Sequence, residues 1–452
     1  SRRRYLDVTV RVGSPELDNY HRLPGVPVRF GGGAFLPLDN LPGPISREAW
    51  LETAQTHQAA VERFIRVRSN QQVKADEADR SPDFSPVPAK QEKIAVPALE
   101  FQTTQWEQRI KKWSGVFREF PGILDSGLSV SATREEKHLV DTGGNRLSHG
   151  RRFARIVINA SARTADGMDV DAGDTFEAET PGELPPDERV IATVRRVGTQ
   201  VEQLLKAPPA EPFAGPAILS GRAAGVFFHE IFGHRIEGHR QKDEQEGQTF
   251  TKSVGQPILP EFLSVVFDPT RREYNGEDLN GWYDFDDEGV SARKVTVVEN
   301  GMLKTFLFSR TPIEGFPESN GHGRRQPGAE VVARQSNLIV ESRKGVPEAR
   351  LREMLMEEVK RQGKPYGLYF EDITGGFTFT QRAGLQAFRV IPRVVYRVYA
   401  DGRPDELIRG ANIVGTPLAA FAKIIATSDS AGVFNGYCGR DLAFSAGLRN
   451  HN

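Results

Sequence analysis

The stretch Val295-Thr296-Val297-Val298-Glu299-Asn300-Gly301-Met302-Leu303 reads as two strands joined by a turn. Branched apolar residues run up to an Asn-Gly pair, the dipeptide favoured where a two-residue hairpin needs two successive positive φ angles. A second signal of this kind lies downstream, with Val394–Tyr399, then Asp401-Gly402, then Glu406–Arg409. Together they make residues 211–452 a mainly antiparallel β domain with a few helices. One clear surface helix interrupts it, Pro347–Arg361, with Leu351, Met354, Leu355 and Val359 on one stripe and Gly363 as its stop.

Upstream the pattern alternates between helix and strand. Tyr5–Val12 predicts a strand, and a helix follows from the N-cap Ser46 to about Val73. The charged, proline-bearing stretch Asp76–Pro97 predicts a loop. Helices are expected over Thr103–Phe117 and Asp187–Leu205, and strands over Gly127–Ser131 and Arg152–Ala162, the latter with Ile156, Ile158 and Ala160 on one face. Residues 1–210 therefore form an expected N-terminal α/β domain, and the fold class of the whole chain is α+β. The chain opens on Ser1-Arg2-Arg3-Arg4 and enters a strand at once, so its start reads as truncated or divergent.

Bulk chemistry narrows the function classes. With 59 Lys plus Arg against 60 Asp plus Glu, the net charge is −1, which gives no electrostatic reason to expect nucleic acid or an anionic membrane surface. No apolar run approaches the roughly 18 residues of a membrane span. A single cysteine excludes an internal disulfide.

The chemistry gathers in one place. His229, His234 and His239, three of the nine histidines, fall within eleven residues, and Glu230 follows the first. In the H-E-x-x-H pattern of zinc proteases, two histidine ligands sit one helical turn apart with the glutamate as general base. Here the spacing is one residue longer. Positions i and i+4 lie about 40° apart around an α-helix, whereas i and i+5 lie about 140° apart. The two rings can grip one ion only if the helix is irregular between Ile231 and His234, and Gly233 lowers the cost of either a π-bulge or a stop. The alternative is a buried helix with two hydrogen-bonded histidines and a salt-bridged glutamate. A catalytic zinc also needs a third protein ligand. The candidates are Cys438, set between glycines, then His239, Glu237, and the acidic cluster Asp284, Asp286, Asp287 and Glu288.

Taken together these motifs resemble the TldD/PmbA family of peptidases, also known as modulators of DNA gyrase. The resemblance runs through His229-Glu230-Ile231-Phe232-Gly233-His234-Arg235-Ile236-Glu237-Gly238, then Asp286-Asp287-Glu288-Gly289-Val290 and Arg334-Gln335-Ser336-Asn337-Leu338. It continues through Asp372-Ile373-Thr374-Gly375-Gly376 to Tyr437-Cys438-Gly439-Arg440-Asp441, all in family order. It covers most of residues 120–450 and is loose before that. The resemblance implies zinc held by His229, His234 and Cys438, with Glu230 as the base. It implies an α/β N-terminal domain and a β-rich C-terminal one, a homodimer or a heterodimer with a paralogue lacking the motif, and a cytoplasmic location. The long insert around Asp76–Pro97 and the truncated-looking start suggest a divergent branch, and His239 stands where the family usually has a small acidic residue.

The expected reaction is hydrolysis of peptide bonds in unfolded or extended peptides by a water that Glu230 activates. His322, in Gly321-His322-Gly323-Arg324-Arg325, is a candidate substrate-binding donor for the oxyanion. A thiolate ligand donates more charge than a third histidine would, so a less acidic water is expected. Two other readings stand beside this one: trimming of leader peptides during natural-product maturation, and a non-catalytic peptide-binding paralogue with an empty site.

Overall fold

The computed structural model describes residues 1–23, 32–71, 79–243, 246–382 and 388–438, together with the backbone of 442–450. A short antiparallel pair, β1 (Tyr5–Val8) and β2 (Gly32–Phe35), is backed by the long helix α1 (Pro42–Gln71). The strand expected to reach Val12 stops at Val8, and α1 begins ahead of Ser46. Residues 72–78, which include part of the expected loop, lie outside the described residues. This opening region docks on the C-terminal half. The Ser85 amide donates to Arg310 O (2.8 Å), the Gly328 amide to Asp7 Oδ1 (2.7 Å), and Lys242 Nζ to Ser81 Oγ (3.0 Å).

Helix α2 (Thr103–Ser114) leads into a meander of β3 (Asp125–Val140), β4 (Arg146–Arg163) and β5 (Asp169–Ala178), and then α3 (Asp187–Lys206). β4 pairs with β3 along its whole length and with β5 from Ala154 to Arg163. Ile156, Ile158 and Ala160 are buried as the alternation predicts, facing the α3 stripe Val190, Val194, Val197, Val201 and Leu204. β5 escaped the sequence reading.

The C-terminal half holds a second, larger core. Strand β6 (Ala217–Leu219) runs directly into helix α4 (Gly221–Ile231). Next come β7 (Leu263–Phe267) and the hairpin β8 (Val295–Glu299) and β9 (Met302–Leu303), turned by Asn300 at φ 49° and Gly301 at φ 79°, both positive as the Asn-Gly pair requires. The return strand was expected to reach Phe308 but ends at Leu303, because Phe306, Leu307 and Phe308 leave the sheet and bury in the core. β10 (Asn337–Ser342), α5 (Glu348–Arg361), β11 (Gly367–Thr378), β12 (Phe388–Val398), β13 (Glu406–Ile408), β14 (Val433–Cys438) and β15 (Leu442–Asn450) complete the chain. The second hairpin has a longer loop than its Asp-Gly pair suggested, and of that pair Gly402 has positive φ.

Two sheets result. One has the order β9-β8-β7-β10-β15-β14, antiparallel except between β10 and β15. The other has the order β13-β12-β11-β6, with β6 parallel to β11. Helix α4 lies between them, against β11 on one side and β14 and β15 on the other. The approach is close because Gly221 opens the helix and Gly432 precedes β14. A Cβ on Gly432 would sit 2.8 Å from Gly221 Cα, and one on Gly221 would sit 2.5 Å from Gly432 N. The fold is α+β, as expected. The two hydrophobic cores part between Leu205 and Ala210, and on that basis we propose a domain boundary near residue 210, with the first 90 residues riding on the second domain. Gly432→Ala should lower stability to chemical denaturation by about 1–3 kcal/mol, the usual cost of forcing atoms into a packed interior; an unchanged midpoint would refute the close-approach argument.

Candidate metal centre

Ser220 starts α4 by accepting from the Ala223 amide (3.1 Å), while its hydroxyl donates to Glu371 O (2.7 Å), tying the helix to β11. The helix ends at Ile231, Phe232 is its last αR residue, and Gly233–Arg235 tightens into a 3₁₀ turn. The stop thus falls between the two motif histidines, where their spacing requires it. Gly233 serves it differently from expectation. Its φ is not positive; a Cβ there would overlap the side-chain amide of Gln335. Arg235 then fastens the broken end, donating to the Ile231 carbonyl (3.2 Å) and to Thr378 Oγ1 on β11 (2.6 Å). A carbonyl that the helix stop strands is satisfied in this way.

The stop turns the two rings toward each other, with centroids 4.8 Å apart and planes at 73°. Cys438, the last residue of β14, arrives from the other side, its Sγ 3.3 Å from His234 Nε2. Ligand atoms of His229, His234 and Cys438 all lie within 4.8 Å of one another. Two imidazoles and a thiolate make a three-ligand set that leaves one position open, and bond lengths of about 2.0–2.3 Å to zinc place tetrahedral ligands on the order of 3.5 Å apart. The donor set and its spacing fit a zinc ion. Glu230 faces the same point, one carboxylate oxygen 3.9 Å from His229 Nε2 and the other 3.9 Å from His234 Nε2. Room for it comes from Gly376 on β11, where a Cβ would meet Glu230 Cγ at 2.9 Å.

Burial dominates the electrostatics. It pushes the Glu230 carboxyl up, with His234 and Arg334 opposing, and holds His229 well below its usual value. Burial also disfavours a charged His234, but Glu237 and Cys438 outweigh it and raise that imidazole to about 9. For Cys438 burial acts upward, yet the hydrogen bond and charge of His234 bring the thiol down.

The other candidates separate from this group. Glu237 is fully buried and accepts from His234 Nδ1 (3.2 Å), on the side of the ring away from Cys438. His239 opens a short helical turn outside the cluster. The acidic stretch is a bonded loop. Asp286 accepts from the Glu288, Val290 and Gly323 amides, and Asp287 accepts from Lys137 Nζ (2.7 Å) and the Arg325 amide. His322 is not brought to the centre. Its Nδ1 donates to Asn320 O (3.1 Å), its Nε2 lies 3.1 Å from Ser336 Oγ, and its ring packs edge-on against Phe267 and Tyr283. Both nitrogens are committed inside the core, which leaves none for a substrate oxyanion. Sequence reasoning assigned no role to Arg334, which donates to Cys438 Sγ (2.9 Å); its place in Arg334-Gln335-Ser336-Asn337-Leu338 was the available signal.

Residues 214–442 match the family described as the PmbA/TldA metallopeptidase C-terminal domain. The chain belongs to the TldD/PmbA family. A metalloprotease of Methanocaldococcus jannaschii is 30% identical over 240 residues, 53% of this chain and 49% of that protein. A zinc metalloprotease TldD homolog of Saccharolobus solfataricus is 28% identical over 232 residues, 50% of this chain and 47% of that one. The chain spans about half the length of these relatives. TldE of Thermococcus kodakarensis superposes with a TM-score of 0.61 at 16% identity, covering 90% of this chain and 83% of that one, which is a likeness of fold. Among the described residues no helix is long and apolar enough to cross a membrane.

His322 supplies a pH prediction. Burial depresses its pKa to about 3, from an ordinary 6.5. Between those values the unfolded chain binds a proton that the native chain does not, so this contribution is fully present above pH 6.5 and is lost as pH falls toward 3. The slope is at most about 1.4 kcal/mol per pH unit. Unfolding free energies of the wild type and His322→Asn, compared from pH 7 to 4, should show a shallower acid slope in the variant; equal slopes would refute the assignment.

Proposed function

We propose that this chain is a zinc-dependent peptidase acting on unfolded or extended peptides. The observation that carries the reading is the convergence of His229, His234 and Cys438 across a helix stop, with Glu230 facing the same point. Membership of a metallopeptidase family, and a relative named as a zinc metalloprotease, support it.

Bound zinc would supply a Lewis acid that makes a water acidic near neutral pH and polarises the scissile carbonyl. His229 Nε2, His234 Nε2 and Cys438 Sγ would hold it. Glu230 then takes a proton from the attacking water at one carboxylate oxygen and passes it to the leaving nitrogen. Its raised pKa suits both halves of that task, since a carboxylate in water is too weak a base to hold the proton between steps. Burial beside Gly376 keeps the carboxylate aimed at the ligand nitrogens and away from bulk water.

The substrate class follows from the strand beside Glu230. β6 covers β11 only over Leu368–Phe370. From Asp372 to Thr378 the described residues pair with β11 on the β12 side alone. An extended peptide adding to that edge is read through its backbone, which favours unfolded chains over a particular sequence. Phe377 and Phe379 stand exposed along this stretch and offer apolar contact to whatever lies there. The family resemblance adds a dimer, either of this chain or with a motif-lacking paralogue, and a cytoplasmic location; the near-zero net charge gives no electrostatic reason to add nucleic acid or an anionic membrane as partner.

Glu230→Gln keeps the shape and removes the base. It should retain zinc at one equivalent and lose about 10²–10⁴-fold in kcat on unfolded-protein or leader-peptide substrates. Equal turnover by the two proteins would overturn Glu230 as the base, and no turnover by the zinc-loaded wild type would end the peptidase reading and leave a peptide-binding role. Cleavage confined to leader peptides would favour the maturation role.

A further inference from the structure

Arg334 makes two contacts that join the ligands from behind. One guanidinium nitrogen donates to Cys438 Sγ at 2.9 Å, and the other lies 3.0 Å from Glu237 Oε1. Glu237 Oε1 accepts in turn from His234 Nδ1 at 3.2 Å, and His234 Nε2 returns to Cys438 Sγ at 3.3 Å. The four side chains close a ring. Three of the four are deep in the protein, the Arg334 side chain 7% and that of Glu237 0% exposed with His234 buried beside them, while Cys438 is half-buried. The second oxygen of Glu237 is held by Arg240 Nε (2.7 Å), and Arg240 is itself anchored to Glu246 Oε1 (2.8 Å) and Thr380 Oγ1 (2.9 Å). Glu237 therefore cannot rotate to become a ligand without abandoning two guanidinium groups.

Each link has a chemical consequence. A carboxylate on Nδ1 fixes the His234 tautomer, so that Nε2 presents its lone pair toward Cys438 and His229. A guanidinium donating to a thiolate draws charge off the sulfur. A sulfur so engaged gives less charge to a metal, which offsets the loss of water acidity expected from a thiolate ligand. Arginine makes both contacts from two separate nitrogens of one planar fork; a lysine has three donors but on a single nitrogen, which cannot occupy both positions.

We infer that Arg334 is a positioning residue that sets both the orientation of His234, through Glu237, and the electron donation of Cys438 to the metal. This rests on the zinc reading above. The full chain is loaded with cobalt, and the cysteine-to-cobalt charge-transfer band is compared in wild type, Arg334→Gln and Arg334→Lys, alongside zinc affinity by chelator competition. Arg334→Gln should move the band to lower energy, since the sulfur electrons are no longer stabilised, and weaken zinc binding about 10–100-fold. Arg334→Lys should fall between the two, keeping the charge but only one of the two contacts. Should Arg334→Gln not fold, Arg334→Lys decides alone. Folded variants with the wild-type band and affinity would overturn the inference, even if their melting temperatures drop. A wild-type chain with no band that Cys438→Ser abolishes would overturn the metal reading instead, and this inference with it.

Discussion

The site depends on a helix that stops. Two histidines five residues apart point away from each other on a continuous α-helix, so His229 and His234 face one point only because α4 ends between them. A stop inside a buried core is expensive unless the stranded carbonyls find donors. Arg235, the residue after the second histidine, supplies them to Ile231 while its other contacts reach Thr378 at the end of β11 and the Phe379 carbonyl just beyond it. The same residue that ends the helix cleanly thereby fixes the distance from the helix to the strand flanking Glu230. Gly233 and Gly376 are two faces of that constraint: one lets Gln335 come in against the turn, the other lets Glu230 lie against the sheet.

Charge burial follows from this arrangement and shapes what surrounds it. Glu230, Glu237, Arg235, Arg240 and Arg334 all sit within a few residues or one contact of the centre, and two of them are carboxylates removed from water. A buried unpaired carboxylate is costly. Glu237 escapes that cost through two arginines and a histidine, which hold its carboxyl well below the ordinary range although burial alone would raise it. Among the described residues the Glu230 carboxylate has no guanidinium partner of that kind, its nearest basic nitrogens being those of His229 and His234 at 3.9 Å, and burial pushes its carboxyl up. Two glutamates seven residues apart thus behave oppositely, one as a fixed anion that orients a ring and the other as a group able to carry a proton. Environment, not residue type, divides the roles.

How much of this was legible in the sequence varies with the range of the interaction responsible. The helix stop followed from spacing alone, because helical geometry is local. The Asn300-Gly301 turn was equally local, and both residues adopt positive φ. The reason for Gly233 was not legible, since it is Gln335, about a hundred residues away, that needs the space. Strand β5 alternates Val170, Ala172, Phe176 and Ala178 with acidic residues, but small side chains gave the pattern too little contrast to stand out. Glu237 was recognised as chemistry-bearing but placed as a possible ligand; the structure turns it to the far nitrogen of His234. The acidic stretch Asp284–Glu288 supplied candidate ligands by composition, yet Asp286 is buried and bonded to the amides of its own loop and of Gly323, because buried main-chain donors must find acceptors. His322 followed the same course: set among glycines and arginines it was a candidate donor to substrate, and tertiary packing put it against Phe267 and Tyr283.

The parts of the centre come from distant points in the chain. The histidines and Glu230 lie on α4 and its turn, Arg334 just before β10, Gly376 on β11, and Cys438 at the end of β14. β14 reaches α4 only when its partner β15 has inserted beside β10, since β15 is what links β14 to the six-stranded sheet. That insertion is a parallel pairing of residues about a hundred positions apart, the kind of contact whose loop-closure entropy makes it form late. In the folded chain the side chains of His229, His234 and Cys438 are thus brought together through a pairing that closes the C-terminal core. Before that pairing, α4 presents two histidines and a glutamate without the sulfur, and Arg334 without its second partner. Because Cys438 ends the strand that this long-range pairing carries, a chain lacking the β10–β15 pairing is expected to lack the third member of the proposed zinc set.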